Sequence, residues 1–364
     1  MLRVVDLFCG AGGLSFAVQQ IGYDLVGALE IDKNSCITFE NNIKNCKLVN
    51  ADILELTPEE FLAKIGANPG DIDLVVGGPP CQGFSSLRTT TKTENDPRNE
   101  LIIEYFNYID FIKPRAFLVE NVPGMLWERN KKYLEKFYQL AEENGYTLYE
   151  PCKLDAKYFG VPQTRKRVFI LGVLDGTPTG AFQWPLDPTH DAPDSIEVKT
   201  GMRTPWINAS SVFKKRLKKS DPNNVHFNHT QELIEVFKST PLNGGSRTES
   251  NRVLPCHKNH NGHKDVYGRI DPSKPGPTMT TACTNPSKGR FVHPTEHHGI
   301  TVRHAARFQT FPDEYVFHGG IQSASRQIGN AVPVELAKVI IKHIGIKLLQ
   351  SEIAFKTESR KVAA

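Results

Sequence analysis

The sequence predicts an α/β protein, with a doubly wound, mainly parallel sheet and a second, smaller, loop-rich domain. Three observations carry this. Short apolar runs at Val4–Leu7, Leu25–Leu29, Leu48-Val49, Ile72–Val76 and Ala116–Val119 are separated by helical or turn-rich segments, the alternation that builds a sheet with crossover helices. A glycine-rich turn, Gly10-Ala11-Gly12-Gly13, leaves the first run and opens a helix, as at the ligand edge of such sheets. After Val173 the texture changes: Pro, Thr, Asn, His and Gly dominate, and long apolar runs become rare. The expected division is 1–174 with 319–364 for the large domain and 175–318 for the smaller one.

The bulk properties bound the function. The chain of 364 residues is 39% hydrophobic and 23% charged, ordinary for a globular protein of two domains. No apolar run approaches the ~20 residues needed to span a bilayer, so no membrane partner is expected. Met1-Leu2-Arg3-Val4 enters a strand pattern directly, without the layout of a signal peptide. Seven cysteines without framework spacing suggest free thiols in a reducing compartment. The net charge of +4 lies in one block. Residues 174–298 hold sixteen Lys and Arg against twelve Asp and Glu, and nine of the twelve histidines, while the remainder balances. A surface facing phosphates has this bias, and so does a solvated, loop-rich one.

Taken in order, the first strand gives way to the glycine turn and a helix over about 14–21. The second apolar run ends at Glu30, twenty residues after Gly10. An acid at that spacing is placed to accept from ribose hydroxyls, which suits a dinucleotide or an adenosylmethionine equally. A short strand, Lys47–Asn50, leads to Asp52, which could accept from an adenine amino group or simply close a turn. Ile72–Val76 reads as a buried strand stopping at Gly77-Gly78-Pro79-Pro80-Cys81-Gln82-Gly83-Phe84-Ser85-Ser86. Proline cannot donate to a ladder and stiffens the residue before it, so the thiol of Cys81 is presented where the strand leaves the sheet. Taken alone, a Pro-Cys turn with an inert buried thiol would serve as well.

A polar stretch, 86–98, carries Arg88, Lys92 and Arg98 and reads as a loop able to close over a substrate. A core-facing helix over 100–112 follows. The strand from Ala116 ends in Glu120-Asn121-Val122. A carboxylate at the end of a buried strand costs desolvation energy unless partnered, and a raised pKa would suit a proton donor. Gln163, Arg165 and Arg167 alternate where the next strand is expected to begin, so they should share one face. Further on, 213–219 reads as a basic amphipathic stretch and 231–237 as a core helix. Cys256–His263 lacks the paired Cys-x-x-Cys of a zinc site, so no metal is expected. Short strands are expected over 278–291, a helix capped by Thr301 over 301–310, and a last long helix over about 333–349, opened by Arg326–Val334.

These stretches, in this order, resemble the motifs of bacterial-type DNA (cytosine-5) methyltransferases across nearly the whole chain. Asp6-Leu7-Phe8-Cys9-Gly10-Ala11-Gly12-Gly13 resembles the cofactor loop and Pro80-Cys81-Gln82 the nucleophile motif. Glu120-Asn121-Val122 resembles the acid motif and Gln163-Thr164-Arg165-Lys166-Arg167 the paired-arginine motif. Arg303-His304-Ala305-Ala306-Arg307 resembles the helix supporting the recognition domain, and Gly329-Asn330-Ala331-Val332-Pro333 the closing cofactor motif.

The resemblance implies a Rossmann-like sheet, S-adenosyl-L-methionine as cofactor, and a flipped cytosine in double-stranded DNA as substrate. It implies that Cys81 attacks C6, that Glu120 contacts N3 and the exocyclic amine, and that Arg165 holds O2 and favours the Cys81 thiolate. Arg167 would brace the site or bind phosphate. The cofactor contacts would be Phe8, Gly10, Gly12, Leu14, Glu30, Ile31, Asp52, Ile53, Pro80, Leu101 and Asn330. The DNA contacts would include Gln82, Ser85, Arg88 and Arg98, with the target sequence read from 175–318. The context implied is a restriction–modification pair with a cognate endonuclease, in the bacterial cytoplasm at the nucleoid, with a monomer as the expected state. The long histidine-rich insert, and the lack of a Cys-Phe-Thr signature, argue against the tRNA-modifying branch. The sequence departs from the pattern at His304, where Glu is usual, at Ala51 for Gly, and at Val334 for a second Pro.

Overall fold

The computed structural model describes residues 1–80, 101–180, 182–251 and 265–349. They divide into two units: Met1–Leu154 with Lys166–Asp187 and the stretch from Ala337, and Asp155–Arg165 with Pro188–Leu336.

The first unit opens with the expected alternation: β1 (Arg3–Leu7), α1 (Gly13–Gln20), β2 (Asp24–Glu30), α2 (Lys33–Asn42), β3 (Lys47–Asn50), α3 (Pro58–Ile65), β4 (Leu74–Gly77), α4 (Leu101–Ile112) and β5 (Ala116–Asn121). It continues through α5 (Lys131–Glu143), β6 (Tyr146–Leu148), β7 (Cys152–Asp155) and β8 (Lys166–Leu174). One eight-stranded sheet results, in the order β3-β2-β1-β4-β5-β8-β6, with β7 also pairing β8. The first five strands are parallel, and β8 runs antiparallel to β5 and β6. The order reverses between β1 and β4, the kind of position where open α/β sheets bind ligands. Register sets the edge. Leu7 pairs with Leu29 and with Gly77, and Gly77 with Val119. Phe8, Glu30, Gly78 and Glu120 therefore leave four strands along one row.

Local chemistry explains the helices. α3 starts with Pro58 behind Thr57, whose hydroxyl accepts from Glu60 N at 3.2 Å while Glu60 Oε2 accepts from Thr57 N at 3.0 Å, a reciprocal cap. Asp32 caps α2 through Ser35 N at 2.9 Å. All six residues of β5 are buried, as a strand covered on both faces requires. The rings of Phe106, Phe117, Phe137 and Tyr146 pack edge to face against one another, with centroids 5.3 to 6.2 Å apart, a favoured aromatic geometry.

The second unit is loop-rich. Its elements are β9 (His190–Asp191), α6 (Ile196–Lys199), β10 (Thr204–Pro205), α7 (Ser210–Lys214), α8 (Gln231–Ser239), α9 (Val302–Phe308) and α10 (Gly320–Asn330), and α11 (Val334–Ile344) begins at its end. Its buried side chains include Phe237, Ile270, Phe291, Phe308, Phe311 and Ile328, and among them lie buried arginines. Arg269 donates to the carbonyls of Thr240, His293, Glu296 and Phe237. Arg303, fully buried in α9, holds Asp221 at 2.6 and 3.1 Å and the carbonyls of Pro312 and Tyr315.

Several expectations are corrected here. The stretch 278–291 forms turns and a 3₁₀ turn at Pro286–Lys288 rather than strands, because Pro272, Pro275, Pro277 and Pro286 remove ladder donors in and just before it. The basic stretch 213–219 is helical only to Lys214; Lys215 is already extended. The last helix starts at Val334 as expected and runs through Ile344 into a π-helical turn over Gly345–Leu349. The segment that opens it, however, is itself helical to Asn330, as the end of α10, and Pro333 keeps the two apart because it disfavours helix at the residue before it. His304 takes the part that Glu plays in a capping box. Thr301 Oγ1 accepts from His304 N at 3.1 Å, and His304 Nδ1 accepts from Thr301 N at 3.4 Å. Burial holds the imidazole pKa well below its ordinary value, which keeps the ring a neutral acceptor.

Candidate active site

β1 delivers the chain into a turn of alternating left-handed residues: Phe8 at φ 61°, Gly10 at 54° and Gly12 at 88°. Only glycine takes such angles freely, and a non-glycine there is strained. A Cβ built on Gly10 would meet nothing within 4 Å, so glycine is required there by conformation, and the space beside it is open. Gly10 N donates to Glu30 Oε2 and Asp32 N to Glu30 Oε1, each at 2.8 Å. Burial raises the Glu30 carboxyl pKa, and these backbone bonds oppose the shift. Each oxygen keeps a second lone pair with which to accept from a hydroxyl. Asn50 Nδ2 fastens the carbonyls of Glu30 and Ile31 at 2.8 and 3.1 Å, leaving the Ile31 side chain 59% exposed.

Leu14 and Ile53 are buried, and Leu101 packs on the same apolar cluster as Ile53. Asp52 accepts from Leu54 N at 3.0 Å, so it closes a turn beside this edge. The sheet thus gathers the expected cofactor residues from Phe8 to Ile53 at its carboxyl end. These residues fit an adenosyl cofactor: a buried carboxylate oriented by two backbone donors, a glycine cradle and exposed apolar surface. Asn330 belongs to the second unit, where it ends α10 and is exposed.

Beside this, β4 runs out at Gly77 and the chain passes Gly78-Pro79-Pro80. Asn121 Nδ2 donates to Pro79 O at 3.3 Å, and its Oδ1 accepts from Val122 N at 2.8 Å. The proline turn is thereby tied to the end of β5. Glu120 is 8% exposed. A Cβ on Gly78 would lie 3.2 Å from Glu120 Oε2, so the carboxylate stands directly over the stiff turn that precedes Cys81. Opposite, Arg167 Nε lies 2.9 Å from Glu120 Oε1. This is the partner that the burial of Glu120 demanded. The β5–β8 pairing sets it, matching Glu120 to Phe169 and Asn121 to Val168.

The expectation that Gln163, Arg165 and Arg167 share a strand face is corrected. β8 begins at Lys166, because the backbone before it is engaged elsewhere. Thr164 N donates to Gly276 O, and Gly276 N to Pro162 O, both at 2.9 Å. Arg165, fully buried, donates to the carbonyls of Met279, Gly329 and Ala331 at 2.8 to 2.9 Å. Gln163 is equally buried; its amide donates to Phe308 O and Gln309 Oε1 and accepts from Met279 N. Both thus organise the second unit. Cys81, Gln82, Ser85, Arg88, Arg98 and the Cys256–His263 cluster lie outside the described residues. Among the described residues no group of three or more His, Cys, Asp or Glu is arranged to hold a metal ion. Motif order assigns no individual role to Asp6 and Ser15, buried beneath the glycine turn, or to Asn121; for Asp6 and Asn121 the available signal was a polar residue in the last two positions of an apolar strand.

A family model described as C-5 cytosine-specific DNA methylase matches residues 2–346. The Type II methyltransferase M.XorII of Xanthomonas oryzae pv. oryzae is 30% identical over 367 residues, covering 92% of this chain and 82% of its own. The Type II methyltransferase M1.HphI of Haemophilus parahaemolyticus is 31% identical over 347 residues, covering 94% and 86%. A solved structure of a proposed DNA modification methyltransferase encoded within an E. coli prophage superposes with a TM-score of 0.71, at 24% identity, over 96% of this chain and all of that one. With its doubly wound sheet, its glycine turn on Glu30 and its acid–arginine pair over the proline turn, the chain belongs to the C-5 cytosine-specific DNA methylases.

Proposed function

We propose that this protein methylates C5 of a cytosine flipped out of a short, specific duplex DNA word, as the modification enzyme beside a cognate restriction endonuclease. The Glu120–Arg167 pair, set over the turn that leads to Cys81, carries the reading. S-adenosyl-L-methionine supplies an electrophilic methyl group when bound. Phe8, Gly10, Gly12, Leu14, Glu30, Ile31, Asp52, Ile53, Pro80 and Leu101 are the residues we assign to holding it. Asn330 joins them on its motif alone.

Cytosine C5 is a poor nucleophile, and the protein's task is to activate it. The Cys81 thiolate forms a bond to C6, and the C5–C6 π electrons become available at C5. Glu120 stabilises the ring through N3 and the exocyclic amine as the electron density shifts. After C5 is methylated, a base, for which water suffices, removes the C5 proton. The electrons restore the double bond, and Cys81 leaves as thiolate. A stacked base hides C6, so the cytosine must leave the duplex, at a cost of about a few kcal/mol.

We assign the arginine that faces the base to Arg167. Its guanidinium stands on Glu120, and a planar donor there suits a carbonyl such as O2. The geometry argues against giving that role to Arg165, whose terminal nitrogens bind three backbone carbonyls; we assign it to bracing the segments 163–165, 279 and 329–331. Gln82, Ser85, Arg88 and Arg98 are assigned to the DNA, and target reading to residues within 175–318. The enzyme acts as a monomer, since each event treats one base. The deciding experiment incubates the protein with labelled S-adenosylmethionine and a random-sequence duplex library, and maps 5-methylcytosine at base resolution. Methylation at one cytosine within a short word is expected. Label appearing only on tRNA run alongside overturns the DNA assignment.

A further inference from the structure

Helix α1 has no side-chain cap of its own. Its N-cap is Gly12, which offers no acceptor, although the first turn of any helix carries unsatisfied N–H groups. Asp6, two residues before the left-handed Phe8, is fully buried beneath the turn. Its Oδ2 accepts from Ser15 Oγ at 2.5 Å. Counted from Gly12, Ser15 is the third helical residue, so this bond fastens the first turn of α1 to β1. The other oxygen, Oδ1, is buried with no hydrogen-bond partner among the described residues. A buried acid left half-satisfied is costly, so some requirement of the site must retain it.

We propose that Asp6 is a positioning residue for the cofactor: through Ser15 it ties the first turn of α1 to the end of β1, across the glycine turn, and so fixes the left-handed backbone from Phe8 to Gly12 that presents Gly10 to Glu30. The bonds of the turn itself include Gly12 N to Cys9 O at 2.9 Å, Cys9 N to Leu29 O at 3.1 Å and the Gly10–Glu30 contact. Asp6 and Ser15 close the turn from beneath, clamping both of its ends. The idea rests on the cofactor reading given above.

The test is calorimetric binding of S-adenosylhomocysteine, which requires no turnover, with DNA affinity measured in parallel. Asp6→Ala and Ser15→Ala should each weaken cofactor binding by roughly five- to tenfold, the scale of one lost buried hydrogen bond, and leave DNA affinity unchanged. Asp6→Asn, which keeps an acceptor for Ser15, should restore most of the affinity lost in Asp6→Ala. Should Asp6→Ala fail to fold, Ser15→Ala and Asp6→Asn still decide the matter. Wild-type affinity in Ser15→Ala, or Asp6→Asn binding as weakly as Ser15→Ala, overturns the proposal. Failure of the wild-type protein to bind S-adenosylhomocysteine at all overturns instead the cofactor reading beneath it.

Discussion

Arg167 Nε sits 2.9 Å from Glu120 Oε1, with 14% and 10% of the two side chains exposed. The pair joins the last parallel strand of the sheet to the antiparallel strand beside it. A charge pair this sheltered couples strongly, and removing one member leaves the other buried and uncompensated.

Glu120→Gln should therefore slow methyl transfer by roughly a hundredfold or more, the usual scale of a lost acid–base group, with little change in cofactor affinity. Arg167→Ala should impair both transfer and stability, because Glu120 then loses its counter-charge. Single-turnover rates and isothermal titration separate the two effects. A Glu120→Gln enzyme with an unchanged rate would reduce Glu120 to a structural acid.

Cys81→Ala should retain DNA binding and lose turnover. A gel-shift assay with 5-fluorocytosine in the target should show a denaturation-resistant complex for wild type and none for the variant. Turnover retained by Cys81→Ala would remove the covalent route.

Arg165→Met should destabilise the second unit. The carbonyls of Met279, Gly329 and Ala331 would lose their buried donor, at about 1–3 kcal/mol for each group left unsatisfied. Arg165→Lys should recover only part of this, since an ammonium lacks the planar fork. Urea denaturation followed by the fluorescence of Trp206 would measure it, and an unchanged midpoint would contradict the bracing role.

Burial pushes the Asp6 carboxyl up to about 7, and Glu30 adds to the shift; Ser15 opposes it. Cys9, Cys46 and Tyr105 are the other titratable groups that sense Asp6. A carboxyl whose folded pKa exceeds its unfolded value binds more protons in the native state, so stability falls as pH rises between the two values. Wild type should thus lose stability relative to Asp6→Asn from about pH 4 to about pH 7, by on the order of a few kcal/mol, and the difference should level off above that. Parallel stability curves for the two proteins across this range would refute the shift.

Exchanging residues 180–290 for the corresponding segment of a relative with another target should change the methylated word and leave the chemistry intact. Methylation mapping on a duplex library reads this directly, and an unchanged word would misplace the recognition function.

The sheet and its carboxyl edge were legible in the order of residue types. Short apolar runs can be buried on both faces in only a few ways, and glycine or proline at the end of a run forces the chain out of the sheet at that point. The glycine turn, Glu30, the proline turn and Glu120 were readable as polar or special residues that end apolar strands. The division of the arginines between the two units was not legible there and follows from packing. The alternation of Gln163, Arg165 and Arg167 suggested one face, but that argument holds only within a strand, and Gly276 engages the backbone before Lys166. Packing also brings Asp6 onto Ser15 of helix α1, ties Pro79 to Asn121, and lets His304 complete a cap where a carboxylate is usual. Each is a hydrogen bond whose value depends on burial, and burial is set by segments remote in sequence. Periodicity reports which face a residue takes, but the groups that meet it there are supplied by the packed chain.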